Sequence, residues 1–479
     1  MKNKTKLYLV VWSLVVFLFY FFVAKNKTFF LRDDYDVLTV LLSFNPGKIL
    51  LPHNEHFFPL LRIAYWVQYI FFSLDYSKYL GVQIIYHLIT SIAVFFTIYH
   101  LTKKLFYAFA GFICFSLTAG ASYKIFVLLI SQIWLLEALF ASFTLLFYTK
   151  SINKNKLLKK PYLLSLFFAV LTVFVSPIGG GLLLAIFLIN FLYFRKQKKY
   201  LVLPILLFFA SVIFYLVFAH RVSLGVVKEN VGILYPLYVL RYIILGFVWG
   251  TVLQLFFPWF NLLRPFPKIL SFKLGIAFIS IIGLALILLF LARQIKKHKK
   301  ISVYIFTFIS FTFFHFLVIG LGRINNMGYA LSPQYTYFPR LVFIVFLFYF
   351  LKKTRFSNKA TKKKFLLLLT WFVVLNQGLY FYYQMVKWKY RADYTKQYIL
   401  DLKYIFENRN QVLNLYCPDS ISPVMKYSNM AAIFYPDKEI IFINKDRIDI
   451  DTYLEEVKKD KKIYEFYQKA KGGFDIDHY

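Results

Sequence analysis

The sequence predicts an all-α polytopic membrane protein of about eleven transmembrane helices, followed by a small C-terminal extracytoplasmic α/β domain. Three observations predict it. The chain is 60% hydrophobic over 479 residues, with a mean hydropathy of +0.60. Its apolar residues come in runs of about 20, enough for a helix to cross the hydrocarbon, and these recur through the first four-fifths of the chain. Its basic residues gather in the short loops between those runs.

The formal charge of +35 is the sum of two unlike parts. Residues 387–479 hold 16 Lys and Arg against 15 Asp and Glu, whereas residues 1–386 hold only seven acids. Cationic loops between apolar runs follow the positive-inside rule, so nucleic acid is excluded as a partner. Cys114 lies in an apolar run and Cys417 in the tail; they match neither a disulfide pair nor a metal-ligand spacing.

The first run, 7–24, follows a Lys-rich start and has no small-x-small site before Lys25, which marks a retained signal anchor. Further candidate spans are 79–101, 105–120, 125–148, 161–178, 180–194, 200–219, 237–257, 273–292, 301–320, 336–351 and 365–386. Basic clusters at the N-terminus, Lys103-Lys104, Lys150 to Lys160, Arg195 to Lys199, Arg293 to Lys300 and Lys352 to Lys364 assign the cytoplasmic side. An even number of crossings must separate the Arg195 and Arg293 clusters. Of the three candidates between them, 237–257 is the weakest, with Arg241, three nearby glycines and a proline-rich exit at Pro258, Pro265 and Pro267. It is expected to re-enter the membrane from outside rather than cross it. Eleven spans remain, with the N-terminus cytoplasmic and the tail outside, in a multi-pass protein of the plasma membrane. Residues 1–386 form the transmembrane domain. Residues 387–479 form the α/β domain, with helices near 393–409 and 451–469 and strands near 411–416 and 439–444.

The seven acids of the first part are Asp33, Asp34, Asp36, Glu55, Asp75, Glu137 and Glu229. Four fall between residues 33 and 55, in the outward loop 25–78, beside His53 and His56. Carboxylates just after a membrane helix sit level with the polar head of an amphiphilic substrate. One can serve as general base on a hydroxyl while its neighbours orient it or bind the acceptor. Asp33 and Asp34 are the candidate catalytic pair, and Asp36, His53, Glu55 and His56 the candidate substrate or acceptor contacts. The bland alternative is a set of solvated loop acids with Arg32 as a surface ion pair. The His53–His56 spacing between Pro52 and Pro59 suits a turn, so no metal site is assigned, with a divalent cation on Asp33 or Asp34 left open.

Phe30-Leu31-Arg32-Asp33-Asp34 after a first span resembles the GT-C superfamily of membrane glycosyltransferases, which includes protein O-mannosyltransferases and lipid A aminoarabinose transferases. The stretch His53-Asn54-Glu55-His56-Phe57-Phe58-Pro59-Leu60 resembles a histidine and Pro-Leu segment of related bacterial enzymes. The resemblance implies transfer of a sugar from a polyprenyl-phosphate donor to a hydroxyl acceptor in the cell envelope, with Asp33 as the base. The family has Glu at the second acidic position, where this chain has Asp34. It also implies a cation for the carrier phosphate. Arg323 and Arg340, flanking the loop before Ser332-Pro333-Gln334-Tyr335, and Arg241 are the candidates. For Arg340 the plain alternative is snorkelling to lipid headgroups.

Glu137 lies inside a span with Gln132 above it, and is either functional or a protonated or hydrogen-bonded structural acid. His87, His100 and His315 read as core or interfacial residues. The runner-up function is a transporter or flippase of lipid-linked sugars, which would place charges near the midplane of several helices.

Overall fold

The computed structural model describes residues 3–30, 34, 38, 49, 58–118, 122–153, 156–218, 235–259, 299–323, 332, 334–354, 358–408, 415–416 and 442–443. Twelve principal helices run through them: α1 Asn3–Ala24, α2 Pro59–Phe72, α3 Tyr76–Thr102, α4 Leu105–Ser116, α5 Gln132–Ser151 and α6 Lys159–Val173. The others are α7 Ile178–Tyr193, α8 Lys199–Phe218, α9 Tyr235–Leu245, α10 Lys299–Arg323, α11 Tyr337–Lys353 and α12 Lys359–Asn408. Among the described residues seven helices are long and apolar enough to cross a membrane, and the chain is a polytopic, mostly α-helical membrane protein.

Two parts of the sequence expectation need correction. Eleven full-length spans are not present among the described residues, because several apolar runs form short helices. α4 has 12 residues and α7 has 16, below the roughly 20 that cross the hydrocarbon unaided. The candidate 273–292 lies outside the described residues.

The expected α/β domain is likewise not found among the described residues. α12 runs for 50 residues straight through the 386/387 boundary to Asn408. Beyond it only a two-residue parallel pair is described, Leu415–Tyr416 with Phe442–Ile443. The composition does change at 386, but no proline interrupts 359–408. A change of solvent need not end a helix that satisfies its own backbone.

Local signals set the other boundaries. Pro59 opens α2 at a position where its missing N–H costs nothing. Asp75 caps α3 by accepting from the Ser77 N–H at 3.1 Å. Lys103 ends α3 in the left-handed region with φ 55°, its N–H returning to the Tyr99 carbonyl.

The basic loops gather at one end of the bundle. Lys150 lies near His100 and Lys103, the Leu157 N–H donates to Gln197, and Lys362 reaches the Lys352 and Thr354 carbonyls. The opposite end collects the end of α1, the starts of α2, α3, α5, α7 and α11, and the end of α10. It carries Asp34 of the acidic loop. α5 lies innermost, against α3, α6, α7 and α11, whereas α8 and α1 are peripheral, with 11% and 22% of their apolar windows buried. Phe22, Ile213, Leu368 and Leu379 are exposed while Gln83, Gln132 and Gln254 are fully buried, the inversion expected when lipid is the solvent.

Candidate functional site

The helices break in two places near the acidic-loop end, and side chains replace the lost backbone bonds. Before α5 the chain makes one helical turn, Lys124–Val127, and one 3-10 turn, Leu129–Ser131. Tyr76 O–H donates to the Phe126 carbonyl at 3.2 Å, Gln83 Nε2 to Leu128 at 2.7 Å and Tyr65 O–H to Leu129 at 2.7 Å. Gln68 and Gln132 exchange amide bonds at 2.8 and 2.9 Å. Irregular backbone survives at membrane depth only where protein or a wet cavity satisfies it.

The acidic loop meets this break. Asp34 is fully buried, and its Oδ1 accepts from the Ile130 N–H at 2.9 Å. An anion at the amino end of α5 is stabilised by the unpaired N–H groups and the helix dipole there. The bland alternative of solvated loop acids therefore fails for Asp34. Asp33, Asp36, His53, Glu55 and His56 lie outside the described residues.

The second break is in the 235–256 segment. After α9 the chain winds as a π-helix over Gly246–Leu253, and Thr251 Oγ1 donates to the Gly246 carbonyl at 2.9 Å. Gly246 is required by closeness: a Cβ there would stand 2.4 Å from the Phe316 ring. Length and composition alone would make Tyr235–Phe256 a span. Its partners run from Leu321, Gly320 and Phe316 on α10 to Phe343 on α11 and Phe372 on α12. Trp259 then packs on Tyr380 and Tyr383, back toward the acidic-loop end.

Arg340, in the first turn of α11, joins the two breaks. It is the largest fully buried side chain among the described residues. Nε donates to the Gly250 carbonyl of the π-helix at 3.1 Å, and Nη1 to Ser122 Oγ, beside the first break, at 2.6 Å. Nη2 donates to Gln254 Oε1 and to Thr336 Oγ1. Gln377 adds bonds to the Gln254 and Leu255 carbonyls at 2.9 and 2.7 Å. The guanidinium is aimed at protein acceptors and does not snorkel to headgroups. Arg241 is exposed on α9, and Arg323 is the last residue of α10.

Two features were missed in the sequence. Glu137 on α5 and His315 on α10 are both buried, with Oε1 and Nδ1 3.6 Å apart. A lone carboxyl in a span demands a partner. Glu137 lies five residues from the start of α5 and His315 eight from the end of α10, both toward the same end of the bundle, and that was the available signal. The other is a lysine group where α1 and α12 meet. Lys27 lies over the Tyr382 ring at 4.5 Å, and burial, then the nearby Lys389 charge, hold its ammonium below the usual lysine range. Lys387 and Lys396 lie over Tyr383 and Phe29. Lys389 already pairs with Asp393, Nζ to Oδ2 3.9 Å, and an anion beside Lys27 would offset the rest of the repulsion.

Among the described residues no cluster of three or more His, Cys, Asp or Glu side chains is placed to hold a metal ion. Comparison with family models, with curated proteins and with solved structures gave no match. The resemblance to GT-C enzymes therefore rests on the acidic-pair and Pro-Leu motifs alone.

Proposed function

We infer that the chain is a membrane glycosyltransferase, moving a sugar from a polyprenyl-phosphate donor to a hydroxyl acceptor at the acidic-loop end of the bundle. That end faces outward and the basic loops face the cytoplasm. The supporting observation is the burial of Asp34 against the amino end of α5. It ties Asp34 of the acidic loop to the folded bundle, beside two broken helices whose backbone is stitched by side chains.

The chemistry divides accordingly. Asp34 anchors the loop on the Ile130 N–H, and Asp33 takes the proton from the acceptor hydroxyl. The acceptor oxygen bonds to the anomeric carbon as the bond to the carrier phosphate breaks, and polyprenyl phosphate leaves. Cations stabilise the charge that develops on it. With Arg340 engaged inside the bundle and Lys389 paired with Asp393, Arg241, Arg323 and Lys27 are the groups for that phosphate. The 235–259 segment re-enters from the outer face and lines the site.

Purified protein given a panel of polyprenyl-phosphate sugars and a lipid extract tests the proposal. Sugar transfer with release of free polyprenyl phosphate is expected. The buried Glu137–His315 pair favours a second reading, a transporter of lipid-linked sugars. In vesicles it would move an intact donor across the membrane without cleaving it.

A further inference from the structure

His315 Nε2 lies 2.7 Å from the Tyr335 carbonyl oxygen, which accepts only, so that nitrogen carries the hydrogen. In the neutral ring Nδ1 is then a bare acceptor. It is buried, it has no hydrogen-bond partner among the described residues, and it faces Glu137 Oε1 at 3.6 Å. The Ser176 hydroxyl accepts from the Ile178 N–H at 3.4 Å and stands near the Glu137 carboxyl. Glu137 thus meets a bare lone pair at His315. A second lone pair facing that nitrogen would be repulsive, and an uncompensated carboxylate in a low-dielectric interior is costly. A hydrogen on the Glu137 oxygen facing Nδ1 removes that repulsion and gives the bare nitrogen a donor.

We propose that Glu137 and His315 form a buried proton-binding site, in which one proton on the Glu137 carboxyl is shared with His315 Nδ1. The loaded pair carries no net charge. Losing the proton leaves the bundle with one more negative charge, and binding closes the 3.6 Å gap to hydrogen-bond length. The site takes no part in the sugar transfer proposed above and stands if that reading fails.

The surroundings hold no second acid among the described residues. α8 brings Tyr215, whose charge would interact with Glu137 but whose hydroxyl donates to the Val173 carbonyl at 2.8 Å. α7 brings glycine backbone: a Cβ on Gly181 would stand 3.0 Å from the Phe314 carbonyl oxygen. α9 brings Tyr242 against Gly320, and α6 carries Lys159, Lys160 and Tyr162 at its other end. On α3 and α11, His87 and Tyr337 bond one another and Arg340 bonds the π-helix. His315 also links the site to the start of α11, because the Thr336 hydroxyl that follows Tyr335 accepts from Arg340.

Infrared spectroscopy on protein carrying 13C-labelled glutamate tests the proposal. At neutral pH the wild type should show the C=O stretch of a protonated glutamic acid, absent in Glu137→Gln and displaced in His315→Gln. Raising the pH should abolish that band with release of one proton that Glu137→Gln does not release. Absence of any Glu137-dependent acid band at neutral pH overturns the site. A band unmoved by His315→Gln also overturns it, leaving Glu137 as a solitary structural acid. If His315→Gln does not fold, 15N resonance of His315 in the wild type decides. A hydrogen-bonded Nδ1 that changes with the acid band supports the site, and an unchanged free acceptor refutes it.

Discussion

Two histidines sit inside this bundle in the same tautomer, and they differ only in what faces the second ring nitrogen. His87 Nε2 donates to the Ser116 carbonyl at 2.8 Å, and its Nδ1 accepts from Tyr337 O–H at 2.5 Å. Tyr20, Phe115 and Phe126 pack around the ring. His315 Nε2 likewise donates to a carbonyl, but its Nδ1 faces a carboxyl it does not yet touch. A hydroxyl partner completes an imidazole and leaves nothing to exchange at ordinary pH. A carboxyl partner turns the same ring into half of a proton site. Burial alone does not separate structural from functional polar groups; completeness of the hydrogen bonding does.

The largest effect should come from Arg340, because the entry into α11 carries partners of both histidines, Tyr335 just before the helix and Tyr337 at its start. Bonds to a charged donor contribute roughly 1.5–3 kcal/mol each. Arg340→Ala should therefore cost at least about 3 kcal/mol in unfolding of the detergent-purified protein. Arg340→Lys should recover little, since an ammonium cannot reproduce the planar fork. A variant as stable as the wild type would show that the π-helix holds itself.

The histidine comparison is sharpened by removing one member from each side. His87→Phe keeps a ring but strands the Ser116 carbonyl and the Tyr337 hydroxyl, a loss of about 1–3 kcal/mol. That loss should be the same at every pH from mildly acid to mildly alkaline. At the other site Glu137→Gln places a permanent N–H where the loaded acid carries its proton. Wild-type stability should fall relative to Glu137→Gln as rising pH removes that proton. Parallel curves for the wild type and Glu137→Gln would erase the distinction between the two histidines.

A smaller, conventional titration gives the scale. Asp75 caps α3 near the surface, and its carboxyl lies below the usual carboxylate range, first because Ser77 hydrogen-bonds it. Its contribution is complete above the ordinary aspartate value near 4 and is lost as the pH falls through the depressed one. Asp75→Ala should cost about 1 kcal/mol at neutral pH and nothing in strong acid, as measured by thermal unfolding.

Much of this was legible in the sequence and some could not be. Apolar run lengths gave the membrane class, and Arg241, the glycines and the prolines marked the 237–257 region where the π-helix lies. The end of α12 was misplaced because the charge balance changes at 386 while no residue there breaks a helix. Neutral glutamines and tyrosines that stitch the broken backbone were invisible, since Gln83 or Tyr65 has no signature until its carbonyl is placed beside it. The Glu137–His315 pairing was hidden for the same reason: it joins two helices far apart in sequence.

The most direct measurement of the proposed function compares sugar transfer by the wild type, Asp33→Asn and Asp34→Asn with a polyprenyl-phosphate sugar as donor. Each substitution keeps shape and removes charge, and an amide oxygen at position 34 can still accept from the Ile130 N–H. General-base catalysis typically contributes about 10²–10⁴-fold. Asp33→Asn should therefore insert and fold normally yet lose transfer by roughly that factor, with a smaller loss in Asp34→Asn. Full turnover in both variants would contradict the glycosyltransferase assignment.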